Sequence, residues 1–449
     1  MRAATSPTLE RRAYGSAVIR WRSAVVRSHT GSWGGARGVV TIEAVLDTAV
    51  DLASDAGPDA GPGVGVEPAV GAGVDGGPQA GVEAGVGDAT VVAALAYAEV
   101  TGIPEVGERV LLTTAQYDAG LGTGGWALVA ARPDAVGPTL TVGTGPDTGR
   151  DTGSDSGGSW AGGRPGPVAG RTGHLVKDRY SPLQQAVAGA DEQGSPWHAV
   201  LADADDLGGL PVVVADLHSA LPAVLAGIRA QRPGTRVVYV MSDGGALPLA
   251  YSRTVAGLVA AGWLAATVTA GQAWGGDLEA VTVHSALLAA RVAAGAEVVV
   301  VSQGPGNLGT GTRFGFSGIA AGEAVNAAVL LGGRAVAALR VSGADPRSRH
   351  HGVSHHSLTA YGRVATAVAD VVVAQLPGDL GELVRSQAAV LAAAPARHRL
   401  VAESVTGLDE ALDACPVPLE SMGRPRGADP AAWLSAAAAG RHAARLVAG

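Results

Sequence analysis

Four of the eleven histidines in this chain fall within seven residues, in the phrase Arg347-Ser-Arg-His-His-Gly-Val-Ser-His-His356. Imidazole is the side chain that changes charge near neutral pH, and when neutral it ligates borderline metals. Gly352 interrupts the helical face that His351 and His355 would otherwise share, so the phrase reads as a loop. In a loop, His355 and His356 are candidates for proton transfer or anion binding. His350, together with His218, is a candidate ligand for a divalent metal. No His-Glu-x-x-His or comparable spacing is present, so the metal and its shell stay open.

A second phrase, Gln303-Gly-Pro-Gly-Asn-Leu-Gly-Thr-Gly-Thr-Arg313, offers backbone N–H groups and hydroxyls. Gly304-x-Gly306-x-x-Gly309 matches the dinucleotide fingerprint formally. However, Pro305 sits inside it, and the next strand ends in Arg340-Val-Ser342 rather than in an acid for a ribose hydroxyl. No Gly-Lys-Ser/Thr follows, which excludes a Walker loop. A plain anion cradle fits better, built from Gly304, Gly306, Gly309, Thr310, Gly311 and Thr312, with Arg313 and Arg340 supplying charge. The alternative is a tight structural turn.

Scarcity marks a third place. The chain has 32 basic residues, of which Lys177 is the one lysine, in a composition drifted towards Ala, Gly, Val, Pro, Arg and Asp. An ammonium differs from a guanidinium in shape, hydration and ease of pKa shift, so Lys177 either pairs with an acid or neutralises charge on a substrate. Both asparagines and both phenylalanines lie within residues 307–326. Asp243 and Asp277 are candidates to orient a histidine or bind a metal; the alternative for Asp243, as for Asp216, is a cap on the helix that follows its strand.

Such loops need a scaffold. From residue 211, apolar runs of strand length (211–215, 235–241, 264–269, 297–302, 334–341, 370–374 and 398–402) alternate with Ala/Leu-rich stretches of helical length. The latter cover 220–231, 247–261, 278–293, 318–331, 357–367 and 381–394, and a closing helix covers 429–448 with Asp429 as its N-cap. This predicts a Rossmann-like three-layer α/β domain with a parallel sheet, whose ligands bind beyond the carboxyl ends of the strands. The unusual phrases all fall at such ends. Upstream, short apolar segments at 19–26, 39–45, 90–98, 109–114 and 127–131 predict a small β-barrel-like N-terminal domain. The expected division is a disordered extension at 1–18, a β-domain at 19–180 with flexible insertions near 55–87 and 143–166, and an α/β domain at 181–449 carrying the site.

Composition narrows the function. Net charge is −8, against the basic face a nucleic-acid partner would need. Cys415 is the one cysteine, so no internal disulfide forms. The most apolar stretch, 318–341, is broken by Glu323, Asn326 and Arg334, and no membrane span is expected. The reading is a cytoplasmic protein binding a small molecule, with a homo-oligomer left open.

Taken together, the phrases Gly173-His-Leu-Val-Lys-Asp-Arg-Tyr-Ser-Pro-Leu-Gln184, Tyr239-Val-Met-Ser-Asp-Gly-Gly-Ala-Leu-Pro248, Gly271-Gln-Ala-Trp-Gly-Gly-Asp-Leu-Glu-Ala280, Gly304-Pro-Gly-Asn-Leu-Gly-Thr-Gly-Thr312 and Gly352-Val-Ser-His-His-Ser-Leu-Thr359 resemble a bacterial family of uncharacterised proteins, domain of unknown function 3866. The chain departs from the family's usual Lys-Leu-Arg-Tyr in having Asp178, and carries His351 where Arg is more typical. The resemblance implies which phrases belong together and no mechanism. From the residues, the expected function is an enzyme, a hydrolase or group transferase, acting on a small anionic or phosphorylated metabolite, with His355, His356, Asp243, Asp277 and Lys177 as catalytic candidates. The alternative is a non-catalytic sensor of a nucleotide or metabolite.

Overall fold

A computed structural model describes residues 21–35, 38–51, 90–118, 125–135, 173–179, 184–245, 248–421 and 423–447. The expected extension at 1–18 and the tracts at 55–87 and 143–166 lie outside the described residues.

Strands β1 (Trp21–Trp33), β2 (Val39–Asp51), β3 (Val91–Tyr97), β4 (Arg109–Thr113) and β5 (Ala127–Ala131) close a barrel in the order β1-β2-β3-β5-β4. The β3–β5 pair is parallel and the others antiparallel. That order, closed through one parallel pair, is the arrangement of an OB-fold. The interior is filled by small and branched residues in strand alternation, among them Ala24, Val26, Val92, Ala94, Val110 and Leu112. A short helix α1 (Ala115–Asp118) follows β4. The residues between the inward ones point outward and dock the barrel: Val39, Leu95 and Trp126 form a cluster with Tyr251. Trp33 Nε1 donates to the Ala250 carbonyl at 2.8 Å, and the Arg253 guanidinium lies 4.2 Å over the Trp33 ring.

A hairpin of β6 (Leu175–Lys177) and β7 (Gln185–Val187) leads into the second unit. The expected boundary between 180 and 181 lies outside the described residues. Asp178, just after β6, takes φ 52°, a left-handed conformation that Asp adopts more readily than most non-glycine residues. Beyond a short helix α2 (His198–Leu201) run β8 (Pro211–Ala215), β9 (Val237–Ser242), β10 (Ala266–Ala270), β11 (Leu278–Ala280), β12 (Val298–Gln303), β13 (Arg334–Ala338), the two-residue pair β14 (Val341–Ser342) and β15 (Gly352–Val353), β16 (Asp370–Gln375) and β17 (Arg399–Ser404). Eight of them form one parallel sheet in the order β11-β10-β9-β12-β8-β13-β16-β17. Every residue of β8, β9, β10 and β12 is buried; β8, β9 and β12 accordingly read as largely apolar runs without alternation, whereas β10 buries Thr267 and Thr269 as well.

Helices α3 (Leu221–Gln231), α4 (Arg253–Ala260), α5 (Val283–Leu288), α6 (Ala320–Leu330), α7 (His355–Thr359), α8 (Gly378–Ala388), α9 (Leu408–Asp413) and α10 (Pro430–Arg445) complete the layers. α3, α9 and α10 pack together on one face, while α5, α6 and the turn after α7 cover the other. A Cβ at Gly227 would sit 1.8 Å from the Ala437 carbonyl oxygen, and one at Gly440 would sit 1.9 Å from that of Val224. The two glycines thus let α3 and α10 touch backbone to backbone. The stretch 278–293, expected as one helix, is two elements. Leu278–Ala280 is the edge strand β11, and α5 begins only after Thr282, which forms a capping box with Ser285. Local composition does not separate a three-residue strand from the Ala-rich helix beyond it. The order of the sheet fixes the site: the chain leaves β8 towards one face and the neighbouring β12 towards the other. This reversal opens a crevice at the carboxyl end of β8.

Candidate functional site

Asp216, the first residue beyond β8, sits in that crevice, buried. Ser357 Oγ donates to its carboxylate at 3.2 Å, and Gln303 Nε2 donates to its carbonyl at 3.2 Å. Burial raises the Asp216 carboxyl pKa, opposed by the nearby Arg340 guanidinium. Tyr361 OH bridges the carbonyls of Val214 (2.9 Å) and Ala338 (3.2 Å), holding together the ends of β8 and β13. Arg340, two residues past β13, donates its backbone N–H to Ser357 Oγ at 3.0 Å. Its guanidinium reaches His356 Nδ1 at 3.3 Å. A guanidinium only donates, so this contact treats Nδ1 as the acceptor.

Three of the four clustered histidines converge beside it. His350 comes from a 3-10 turn (Ser348–His350), and His355 and His356 from the first turn of α7. The nitrogens they direct at one another all lie within 4.8 Å. The return of the chain depends on Gly352 at φ 74°, a left-handed conformation, and on the β14–β15 pairing of Val341 with Val353. Ser354 caps α7 by accepting from the His356 N–H at 3.2 Å, and its Oγ also meets His350 Nδ1 at 2.8 Å. Phe316, from the glycine-rich loop, stacks on His356 with centroids 4.0 Å apart and planes 5° from parallel. Burial, then the charges of Arg340 and Arg347, push His350 down to about 3. Burial and Arg340 do the same for His356, also to about 3, and burial with Arg349 lowers His355. All three imidazoles are therefore neutral at physiological pH.

On the other side of Arg340 lies a cleft that opens to solvent, with a cavity of about 60 Å³. Ala215, Ala338, Ala432 and Trp433 form apolar walls, and Asp216, Arg340, Asp345 and Arg424 supply polar groups. Burial works to raise the Asp345 carboxyl, but the paired Arg347 hydrogen bonds (2.9 and 2.8 Å) outweigh it and hold it well below the usual range. A hairpin of β18 (Glu420–Ser421) and β19 (Arg424–Pro425) crosses the mouth, with Arg424 3.4 Å from Asp345 and Ser421 Oγ 3.0 Å from Ser219 Oγ. Asp429 does not cap α10 with its side chain; its carboxylate accepts from Ser342 Oγ and from the Gly343 N–H instead.

The other residues singled out in the sequence lie elsewhere. Lys177 is buried, and Nζ donates to the carbonyls of Gly271, Ala273 and Ala280, with Glu279 at 3.5 Å. Its three N–H donors are filled, leaving none for a substrate; Lys177 straps the β6–β7 hairpin to the sheet edge. Asp277 accepts from the N–H and hydroxyl of Thr267, both at 2.8 Å. Thr267 precedes the paired ends of β10 and β11, so Asp277 lies along the sheet edge below the rim. Asp243 is exposed and accepts from the Gln272 N–H at 3.2 Å. His218 directs both ring nitrogens at hydroxyls, Tyr239 OH (3.0 Å) and Ser252 Oγ (2.7 Å), away from the histidine cluster. His351 is exposed, outside the cluster.

The glycine-rich loop, expected as an anion cradle, does not line the Arg340 cleft. It folds back on itself, bridging Gly309 to Phe316, and the Thr310 N–H goes to the Gly315 carbonyl at 2.7 Å. Gly304 and Gly306 lie nearer the strand end, while Gly311, Thr312 and Arg313 form an exposed tip. α6 starts only at Ala320, preceded by the 3-10 turn Ser317–Ile319. What the loop brings to the site is Phe316. Asp216, Ser357, Tyr361 and Trp433 help build the site and were not among the site candidates read from the sequence. The signal for Asp216 was its place directly after a fully apolar strand, but only the strand order shows which strand borders the crevice.

Fold and site together define a doubly wound α/β protein with an OB-like barrel docked on it and a cleft at the carboxyl end of β8, flanked by a three-histidine cluster. The chain belongs to the family described as Protein of unknown function (DUF3866), whose sequence profile matches residues 93–440. No curated protein and no solved structure matches the chain. No helix among the described residues is long and apolar enough to cross a membrane.

Proposed function

We propose that the protein is an enzyme, a hydrolase or group transferase of the bacterial cytoplasm, acting on a small anionic or phosphorylated metabolite. The observation that carries this reading is the convergence of one guanidinium and three neutral imidazoles at the switch-point crevice. Arg340 lines the cleft and touches the cluster, so an anionic group drawn to it lies beside the imidazoles while the rest of the molecule packs on the Trp433 and alanine walls. The nearby arginines favour negative charge developing there.

One observation favours the second reading, a ligand sensor. A hydrogen-bonded path runs from the barrel to the crevice: Trp33 to Ala250, then Ser252 to His218, Tyr239 and the carbonyl of Gln303. Native mass spectrometry of the protein as isolated from cells tests both, followed by a turnover assay on what co-purifies and on a panel of phosphate esters and carboxylates. An enzyme turns over at least one anionic compound, and Arg340→Met weakens its binding. Tight binding without turnover favours the sensor, and no stabilisation by any compound at millimolar concentration sinks both.

A further inference from the structure

We propose that His350, His355 and His356 are the protein ligands of a divalent first-row transition metal of the zinc class, with the remaining coordination position open towards Arg340 and the cleft. The geometry is partly prepared. His350 is buried and its Nδ1 is held by Ser354 Oγ at 2.8 Å, itself a fully buried hydroxyl. In the tautomer that donates Nδ1–H to that oxygen, the Nε2 lone pair faces the cluster. Ligating histidines characteristically donate their other ring N–H to a fixed acceptor in this way. Phe316, stacked at 4.0 Å on His356, fixes the plane of a second ring. His355 lies between them, its centroid 4.9 Å from that of His350 and 4.3 Å from that of His356.

The donor set selects the ion. Imidazole nitrogens alone suit zinc, copper, nickel or iron, whereas magnesium and calcium want oxygens. Three neutral ligands with a fourth position free are the pattern of catalytic rather than structural zinc sites. Such an ion keeps its full charge, acidifies a bound water to a pKa of about 7 and polarises a substrate oxygen. Tetrahedral coordination at ~2.1 Å puts ligand nitrogens roughly 3.4 Å apart, so the widest pair, within 4.8 Å here, must close by about 1.4 Å at most. Side-chain rotation in the first turn of α7 covers that.

Arg340 is the counter-evidence and the handle. Its contact with His356 Nδ1 leaves the proton on Nε2, so ion and guanidinium compete for this imidazole. Metal entry therefore releases Arg340 towards Asp216, the carboxylate whose charge it already feels. Freed, it faces the cleft as an anion-binding group next to the open position.

The test is titration of the chelator-treated full chain with cobalt(II), read by visible absorption, followed by displacement with zinc. The expected result is one ion per chain with a d–d spectrum of a low-coordinate nitrogen site. His355→Ala and His356→Ala should each weaken binding at least ~100-fold, His351→Ala should leave it unchanged, and Arg340→Met should tighten it several-fold. His350→Ala removes a buried side chain, so circular dichroism must accompany it; the half-buried His355 and His356 carry the decision. No cobalt spectrum in the wild-type protein overturns the proposal, as does unchanged binding in folded His355→Ala and His356→Ala. That failure would leave the enzyme reading intact, with the imidazoles transferring protons themselves, because anion binding is measured separately.

Discussion

The rim of the sheet has two halves that look alike in sequence and differ in chemistry. Over β10 and β11 lie Lys177, Glu279, Asp277 and Asp243; over β8 and β13 lie Asp216, Arg340 and the histidines. In the first half the buried charges are matched. Lys177 fills three carbonyls, and Glu279 accepts from Thr269 Oγ1 and the Gly275 N–H, both at 2.7 Å, besides facing the ammonium. In the second half one guanidinium serves a carboxylate and an imidazole while bordering an open cleft, and three imidazoles converge within reach of one another. Saturated, enclosed polar groups hold a fold together, whereas polar groups that border an open cleft are the ones we propose meet a ligand. The contrast separates a strap from a site better than residue type does.

The largest effect should come from breaking the strap. Lys177→Met leaves Glu279 and three carbonyls buried without their cation, and should cost about 3–5 kcal/mol in denaturant unfolding. Lys177→Arg should not rescue it, because a planar fork cannot meet three carbonyls arranged around a point charge. Wild-type stability in Lys177→Met would erase the distinction between the halves.

His218 tests whether saturation or residue type decides. Burial holds its pKa at about 4, below the unfolded value near 6.5, so it is neutral in the fold. Its contribution is complete above pH 6.5 and is lost as the pH falls towards 4, on the order of 2 kcal/mol between pH 6.5 and 5. Urea unfolding at pH 7 and pH 5 should show this loss in the wild type and a shallower one in His218→Gln. Identical slopes would mean that His218 is not the buried neutral group its two hydrogen bonds imply.

On the open side, Arg340→Met should lower affinity for an anionic ligand about 10- to 100-fold, the range for a lost charged hydrogen bond. The same change should destabilise the fold less than Lys177→Met does. Calorimetry with the co-purifying ligand checks the first and denaturant unfolding the second. The reverse ranking would make Arg340 a strap too.

Much of this architecture was legible. The apolar runs of β8, β9 and β12 announced buried parallel strands, and the alternating segments upstream announced a barrel. The histidine phrase was visible as a cluster, although which three of its four rings meet depends on the turn at Gly352. Scarcity misled as often as it helped. Lys177 turned out to be a strap. Asn307 accepts from Ser317 Oγ at 2.8 Å, and Asn326 accepts from the N–H groups of Thr366 (2.7 Å) and Ala367 (3.0 Å), so both asparagines pin loops. Only Phe316 among these rare residues reaches the site. A rare side chain marks a place where its shape is irreplaceable, and a buried hydrogen-bond socket demands that as strictly as a reaction does. Asp216 and Arg340 are common types here, and their importance comes from strand order, which composition does not encode.

The smallest effect is the most pointed. Asp277 shares with Asp243 a place after an apolar run, yet its Oδ2 is spent on Thr267 at the sheet edge. Asp277→Asn keeps an oxygen for those two donors and removes only the charge, so it should cost about 0.5–1.5 kcal/mol. Because β11 carries Glu279 and the Ala280 carbonyl, any loosening should show first as faster hydrogen exchange around Lys177, on the matched half of the rim. Anion affinity and cobalt binding should stay at wild-type values. If Asp277→Asn instead impaired ligand or metal binding while leaving stability alone, the two halves would be one site, and the separation argued from filled hydrogen bonds would fail at its simplest case.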